Sequence, residues 1–168
     1  MVPMNILTLI AAPAPAPSII VLQPQEEPVS EGKSRVVPIC IGATEAIALT
    51  NALEGNRFER PSTHDLILDT LASLDAIVDH VLINDVKGTV FFARLTLSQH
   101  GRLIEVDARP SDAINLAVRQ GAHIYMDEQI LDKTSYPYLF KTPIDEEAAV
   151  QDFHDFLESI TPEDFAER

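Results

Sequence analysis

The sequence reads as an α+β protein in which a β-β-β-helix-β-helix unit occurs twice. A mixed or antiparallel sheet is expected to close around one shared core, with a further helix behind it. Three observations lead there. Residues 35–49, RVVPICIGATEAIAL, and 102–116, RLIEVDARPSDAINL, match without a gap at an offset of 67. Both open on Arg and alternating apolar residues and then run Ser/Thr, Asp/Glu, Ala, Ile, x, Leu, so strand periodicity gives way to helix periodicity at the same point. Two β-rich stretches precede each copy, and a short extended piece and a second helical stretch follow it.

In chain order, MNILTLI and SIIVLQ are the first two strands, joined by an Ala/Pro loop. The segment up to Gln23 also has the outline of a signal peptide. It lacks a Lys or Arg before its apolar stretch, and that stretch is short, so the two-strand reading is preferred. RVVPICI is the third strand. The helix after it ends at Glu54-Gly55, because glycine suits the left-handed residue past a helix. RFE at 57–59 is a short strand, and PSTHDLILDTLASL is a helix opened by a Pro-Ser-Thr start. The second half repeats the order: VDHVLIND, TVFFARLTL and RLIEVDA as strands, a helix ending at Gln120-Gly121, HIYM as a strand and DEQILDK as a helix. One domain, residues 1–140, therefore has halves at about 1–74 and 75–140. An acidic helical tail occupies 141–168, where Ala149, Phe153, Phe156, Leu157 and Ile160 recur at helical spacing. That stripe is either docked on its own domain or a self-association face, and Thr161-Pro162 marks another helix start.

Composition narrows the function classes. The net charge is −14, and the stretch from Asp145 onward carries nine acids against one base. Such a surface repels nucleic acid unless a local cation cluster or a metal ion intervenes. A single cysteine, Cys40, permits no disulfide within the chain, which fits a reducing, cytoplasmic compartment. No run is long enough to span a bilayer. Walker, HExxH, paired-cysteine zinc and nucleophile-elbow patterns are missing.

The two copies serve as a control on each other, since a polar residue present in only one needs a reason beyond the shared fold. Thr44-Glu45 and Ser111-Asp112 are shared, and hydroxyls and carboxylates at helix starts accept free N–H groups. They are read first as caps. Asp107 and Arg109 have no counterpart, standing where the first half has Cys40 and Gly42. A cation at a helix N-terminus opposes the dipole. Arg109 is therefore either a forked phosphate contact or an ion-pair partner of Asp107 or Asp112. ERPSTHDLI at 59–67 repeats Arg-Pro-Ser and adds His64 and Asp65. Arg60, two hydroxyls, an imidazole and a carboxylate thus gather at one helix start, a natural anion site.

With RPSTHDL at 60–66 and VDARPSDAINLA at 106–117, the chain resembles the bifunctional nuclease family, bacterial and plant proteins credited with RNase and DNase activity. The likeness runs from about Met4 to Tyr138 and takes in PICIGATEAIAL and LINDVKGTVFFARLTL, with FLESITPEDF beyond it. It implies a hydrolase of phosphodiester bonds, with RNA and DNA as substrates. On that reading Arg60 and Arg109 hold phosphate, and His64, Asp65 and Asp107 are catalytic. Asp65 and Asp107 also ligate Mg²⁺ or Mn²⁺. Glu45, Ser111 and Asp112 are additional acidic or capping residues. No membrane partner is implied, and a homo-oligomer is expected. The alternative is a non-catalytic module binding an anionic metabolite or a protein through the same two helix starts. A third reading makes the arginines ion-pair partners alone.

Overall fold

The computed structural model describes residues 1–13, 15–25, 33–56 and 58–139. The expected tail helix and the helix start at Thr161 lie outside them. Eight strands and four helices follow one another as β1 (Val2–Ile10), β2 (Ser18–Pro24), β3 (Lys33–Ile41), α1 (Ala43–Leu53), α2 (Thr63–Ser73), β4 (Ala76–Lys87), β5 (Val90–Gln99), β6 (Arg102–Ala108), α3 (Pro110–Gln120), β7 (His123–Met126), α4 (Glu128–Thr134) and β8 (Tyr136–Leu139). This is the expected α+β class. The extended piece foreseen at 57–59 is the exception. Phe58 and Glu59 lie in irregular chain before Pro61, and no strand forms there among the described residues. A three-residue run exposed at Phe58 and Glu59 has too little to bury to hold a place in a sheet.

The strands form one mixed sheet in the order β6-β5-β4-β7-β1-β2-β3-β8. Each half of the chain supplies an antiparallel meander, β1-β2-β3 or β4-β5-β6, followed by a helix. β7 joins the meanders, parallel to β4 and antiparallel to β1. The sheet is open, with β6 and β8 at its edges, so the closure expected from the sequence is not what the chain does. The helices cover one face instead, and that satisfies the apolar side of the sheet without joining its ends. Alternation places Ile20, Leu22, Val37, Ile39, Val81, Ile83, Ala93 and Leu95 on that face, against Ala46 and Leu49 of α1 and Ala113, Ile114, Leu116 and Ala117 of α3. A smaller cluster, Val21 and Val36 with Leu7, Ile19 and Tyr136, lies on the other face.

α3 is the helix around which the rest of the layer is arranged. It packs on α1, α2 and strands β4, β5 and β7, and seven of its eleven residues are buried. α1 lies further out and has a narrower buried stripe. Ala46 and Leu49 face inward like the matching Ala113 and Leu116, but Ile47, which matches the buried Ile114, is 64% exposed. Both helices end as the sequence suggests, at glycines in left-handed backbone, Gly55 with φ 69° and Gly121 with φ 74°. At Gly121 an added Cβ would touch nothing within 4 Å, so any penalty there comes from the backbone alone. Gly121→Ala is expected to lower the unfolding free energy by about 1–2 kcal/mol, with the helical circular dichroism of the native state unchanged. Urea denaturation measures it, and a loss near zero would mean that this turn relaxes out of the left-handed region.

Candidate functional site

β3 and β6 are six strand steps apart in the sheet, roughly 29 Å if the sheet were flat. Their exits nevertheless lead to side chains in contact. Arg109 follows β6 and Glu45 lies in the first turn of the helix after β3, and Arg109 Nη1 is 3.0 Å from Glu45 Oε1. The sheet must coil around the helix layer for these exits to meet. The first turn of α2 joins them, because His64 Nε2 stands 3.4 Å from Asp112 Oδ1 in the first turn of α3. Three helix N-termini thus converge on one cluster: Glu45 from α1, His64 from α2, and Arg109 and Asp112 from α3.

Arg109 is the N-cap residue of α3, with Pro110 as the first helical residue. Its guanidinium holds Asp112 in a fork, Nε to Oδ2 at 2.7 Å and Nη2 to Oδ1 at 3.0 Å. Of the two ion-pair partners foreseen, Asp112 is the one used, and Glu45 is added. Burial pushes the Asp112 carboxyl up, but Arg109 and then His64 outweigh it and hold the group below its ordinary 3.8. The same partners raise the Arg109 pKa, the Asp112 hydrogen bond most of all. Glu45 reaches Arg109 by folding back over its own N-cap. A Cβ on Gly42 would collide with Glu45 Oε2, so the glycine leaves the space the carboxylate uses.

The capping roles expected for Thr44-Glu45 and Ser111-Asp112 are therefore corrected. No side-chain cap hydrogen bond exists at α1 or α3. The chain enters each helix one or two residues earlier than the hydroxyl, so Thr44 and Ser111 already sit inside the first turn, and Ser111 is buried. Both carboxylates turn to Arg109. Asp65 does cap, in a box with Ser62, whose N–H donates to Asp65 Oδ2 at 3.2 Å and whose hydroxyl donates to the same oxygen. Its other oxygen accepts from Arg119 Nε at 3.0 Å. Asp65 therefore does not orient His64; Asp112 occupies that place.

Asp107 does not join the cluster. It is exposed on β6 opposite Arg94, whose neighbours Ala93 and Leu95 face the helices, so Asp107 points from the other face of the sheet. Asp65 and Asp107 cannot share an ion from opposite faces, and among the described residues no three His, Cys, Asp or Glu side chains stand close enough to hold a metal. The expected ligand pair does not fit a divalent cation. Arg60 is exposed on the approach to α2 and has no ion-pair partner among the described residues.

Two residues outside the expected set hold this arrangement. Asn115 is fully buried and donates to Ser111 O at 2.9 Å and Glu45 O at 3.3 Å. Arg119 has 9% of its side chain exposed and donates to Asp65, to Asn115 Oδ1 at 2.7 Å and to Ala48 O at 2.9 Å. At the 67-residue offset their counterparts are Ala48 and Ala52. The same asymmetry that singles out Arg109 is therefore present about two and three turns further along.

Removing the buried Arg119 leaves the half-buried Asp65 and two other acceptors without their donor. Arg119→Ala is expected to cost about 1–3 kcal/mol, with Arg119→Lys recovering only part because one ammonium cannot reach all three acceptors. Burial pushes the Asp65 carboxyl up, while Ser62 and Arg119 outweigh it and hold it below 3.8. A lowered folded-state pKa stabilises the fold above the unfolded value and is lost as pH falls through the folded one. The urea midpoint should therefore drop as the pH is taken below 3.8, and Asp65→Asn should make that drop shallower. An unchanged acid limb in Asp65→Asn would show that the pair contributes nothing there.

With this geometry in view, comparison with known proteins is informative. Residues 28–138 match the family model described as the bifunctional nuclease domain. An uncharacterized protein of Mycobacterium tuberculosis is 37% identical over 158 residues, covering 88% of this chain and 93% of that protein. Bifunctional nuclease 1 of Oryza sativa subsp. japonica is 28% identical over 116 residues, 67% of this chain but 35% of the plant protein. Bifunctional nuclease 1 of Arabidopsis thaliana is 28% identical over 109 residues, 63% of this chain and 32% of its own length. The match at 28–138 takes in β3, the second meander, all four helices and every residue of the cluster, and the chain belongs to the bifunctional nuclease domain family.

Proposed function

We propose that this chain is a nuclease, a phosphodiesterase acting on RNA and DNA, and that the His64–Asp112–Arg109–Glu45 cluster is its centre. The observation that carries the reading is the single carboxylate shared by an imidazole and an arginine where three helix N-termini meet. A carboxylate only accepts, so His64 donates through Nε2 and its Nδ1 is left as a proton acceptor. That is the arrangement by which a carboxylate fixes the tautomer of a general base. Arg109 uses three of its five N–H groups on Asp112 and Glu45. The other two, on a side chain 65% exposed, are free for a phosphate oxygen. The helix N-termini add positive potential on the same side. Arg60, exposed before α2, is a second phosphate contact. The acidic surface makes a divalent cation useful for admitting a polyanion, so dependence on Mg²⁺ or Mn²⁺ is part of what the assay measures.

The same reading treats residues 1–74 and 75–140 as copies of one unit, of which only the second carries Arg109, Asn115 and Arg119. It also places the protein in the cytoplasm as a homo-oligomer. One observation favours the non-catalytic alternative. Both carboxylates of the cluster are already committed to Arg109, and the His64 side chain is only 11% exposed.

Protein freed of contaminating nucleases, assayed on labelled RNA and single-stranded DNA with Mg²⁺, Mn²⁺ or EDTA, decides between them. His64→Ala should lower kcat by roughly 10²–10⁴-fold per folded molecule. Arg109→Ala should raise KM and lower kcat while barely moving the melting temperature, since the guanidinium is 65% exposed and water screens its pairs. Full cleavage by His64→Ala removes the imidazole from the mechanism. No cleavage by the wild type under any metal condition, together with thermal stabilisation by a phosphorylated small molecule, selects the binding module.

A further inference from the structure

We propose that Glu45 is an internal competitor for the anion site at Arg109, a carboxylate that an incoming phosphate displaces; the inference rests on Arg109 being a phosphate contact of the cluster. Asp112 and Glu45 both hold this guanidinium, but they hold it differently. Asp112 lies three residues further along the same helix and takes two nitrogens of Arg109 in a fork. Glu45 comes from another helix and makes one contact, Oε1 to Nη1 at 3.0 Å. Its other carboxylate oxygen makes no hydrogen bond or ion pair among the described residues. Once both carboxylates are served, Arg109 has one N–H left on each terminal nitrogen. A phosphate that takes this pair meets Nη1, the nitrogen Glu45 already holds. Two anions on one nitrogen repel each other at close range, and the carboxylate held by a single contact is the one that yields.

The local sequence gives Glu45 room and no partner of its own. At the 67-residue offset Glu45 matches Asp112, and Gly42 matches Arg109. Asp112 pairs with the residue three positions before it. Glu45 has a glycine at that position, so its carboxylate crosses to the arginine of the other half. It crosses by folding back over Gly42. The three atoms nearest to a Cβ built on Gly42 all belong to the Glu45 carboxyl group. Gly42 has φ −71° and ψ 159°, extended backbone that any residue adopts. The backbone therefore does not call for glycine there; the space over it is what the carboxylate needs. α1 also has no side-chain cap, so the N–H groups of its first turn stay open to an anion that replaces Glu45. While Glu45 sits on Arg109, the affinity for phosphate is reduced to the fraction of molecules in which the carboxylate is away.

Isothermal titration calorimetry of the full chain tests this without turnover, using inorganic phosphate and a phosphorothioate oligodeoxynucleotide in EDTA at low salt. Glu45→Gln removes the charge, whereas Gly42→Ala keeps the charge and fills its space. Each variant should bind both probes roughly tenfold more tightly than the wild type. The double variant should gain little beyond either one, because both act on the same contact. Asp107→Asn removes an equal charge two residues from Arg109 on the other face of the sheet, and it should leave the affinities within about twofold. Circular dichroism of every variant should match the wild type. Variants that bind no more tightly than the wild type overturn the proposal. An equal gain from Asp107→Asn also overturns it, by reducing the effect to net charge, and so does a failure of all the proteins to bind either probe. Tighter binding by Glu45→Gln and Gly42→Ala in a chain that cleaves nothing keeps the competitor and removes the nuclease reading. A wild type that cleaves, with variants that bind no more tightly, removes the competitor alone.

Discussion

The helix layer depends on one guanidinium. Arg119 sits near the end of α3, and its side chain runs back along the helix to reach Ala48 O on α1, Asp65 on α2 and Asn115 on α3. Each acceptor is a different kind of group, a peptide carbonyl, a carboxylate and a side-chain amide. A planar fork with five donors can serve all three at once, and a single ammonium cannot. Asp65 is held in turn by Ser62, so the buried cation ends in a capping box and not in an isolated charge. This network fixes how α1 and α2 lie on α3. That positioning sets Glu45 and His64 within reach of Arg109 and Asp112.

Charge in the cluster is largely offset locally, one guanidinium against two carboxylates, and this separates it from the rest of an acidic chain. The two carboxylates at helix starts are favoured by the dipole. Arg109, at the N-cap of α3, is disfavoured by the same dipole and is stabilised by the two carboxylates around it. The cation is therefore held where a helix alone would not place it, with donor capacity left over. An arginine anchored on two sides loses less freedom on meeting an anion than one that extends into water.

The strands and helices were legible because both periodicities are strong and the two halves of the chain agree. The meanders, α1, α3 and the glycine termini follow from pattern alone. The failures share a cause: they depend on distances between segments far apart in sequence. Asp65 is next to His64 in the chain, yet it binds Arg119, 54 residues away. Glu45 and Arg109 meet across the whole width of the sheet. Asp107 is two residues from Arg109 and faces the other way, as alternation along a strand requires. Comparison of the halves picks out Arg109, which lies in the cluster, and Asp107, which does not. Carried further along the helix it would have exposed Asn115 and Arg119, which read as ordinary polar positions until α3 is seen to be buried.

The placement of β7 governs how the molecule can assemble. Each meander is made of strands consecutive in the chain, so each can form from nearby residues soon after it leaves the ribosome. The seam between them cannot. It is a strand of four residues, His123–Met126, wedged between β4 and the first residues of β1, more than a hundred positions upstream. Until it arrives, the halves meet only through their helices, and the two three-stranded ribbons each keep an unpaired inner edge. Closing that seam carries the loop-closure entropy of most of the chain and comes late. A growing chain halted before residue 123 would hold every residue of the cluster and still lack the strand that makes the two ribbons one sheet.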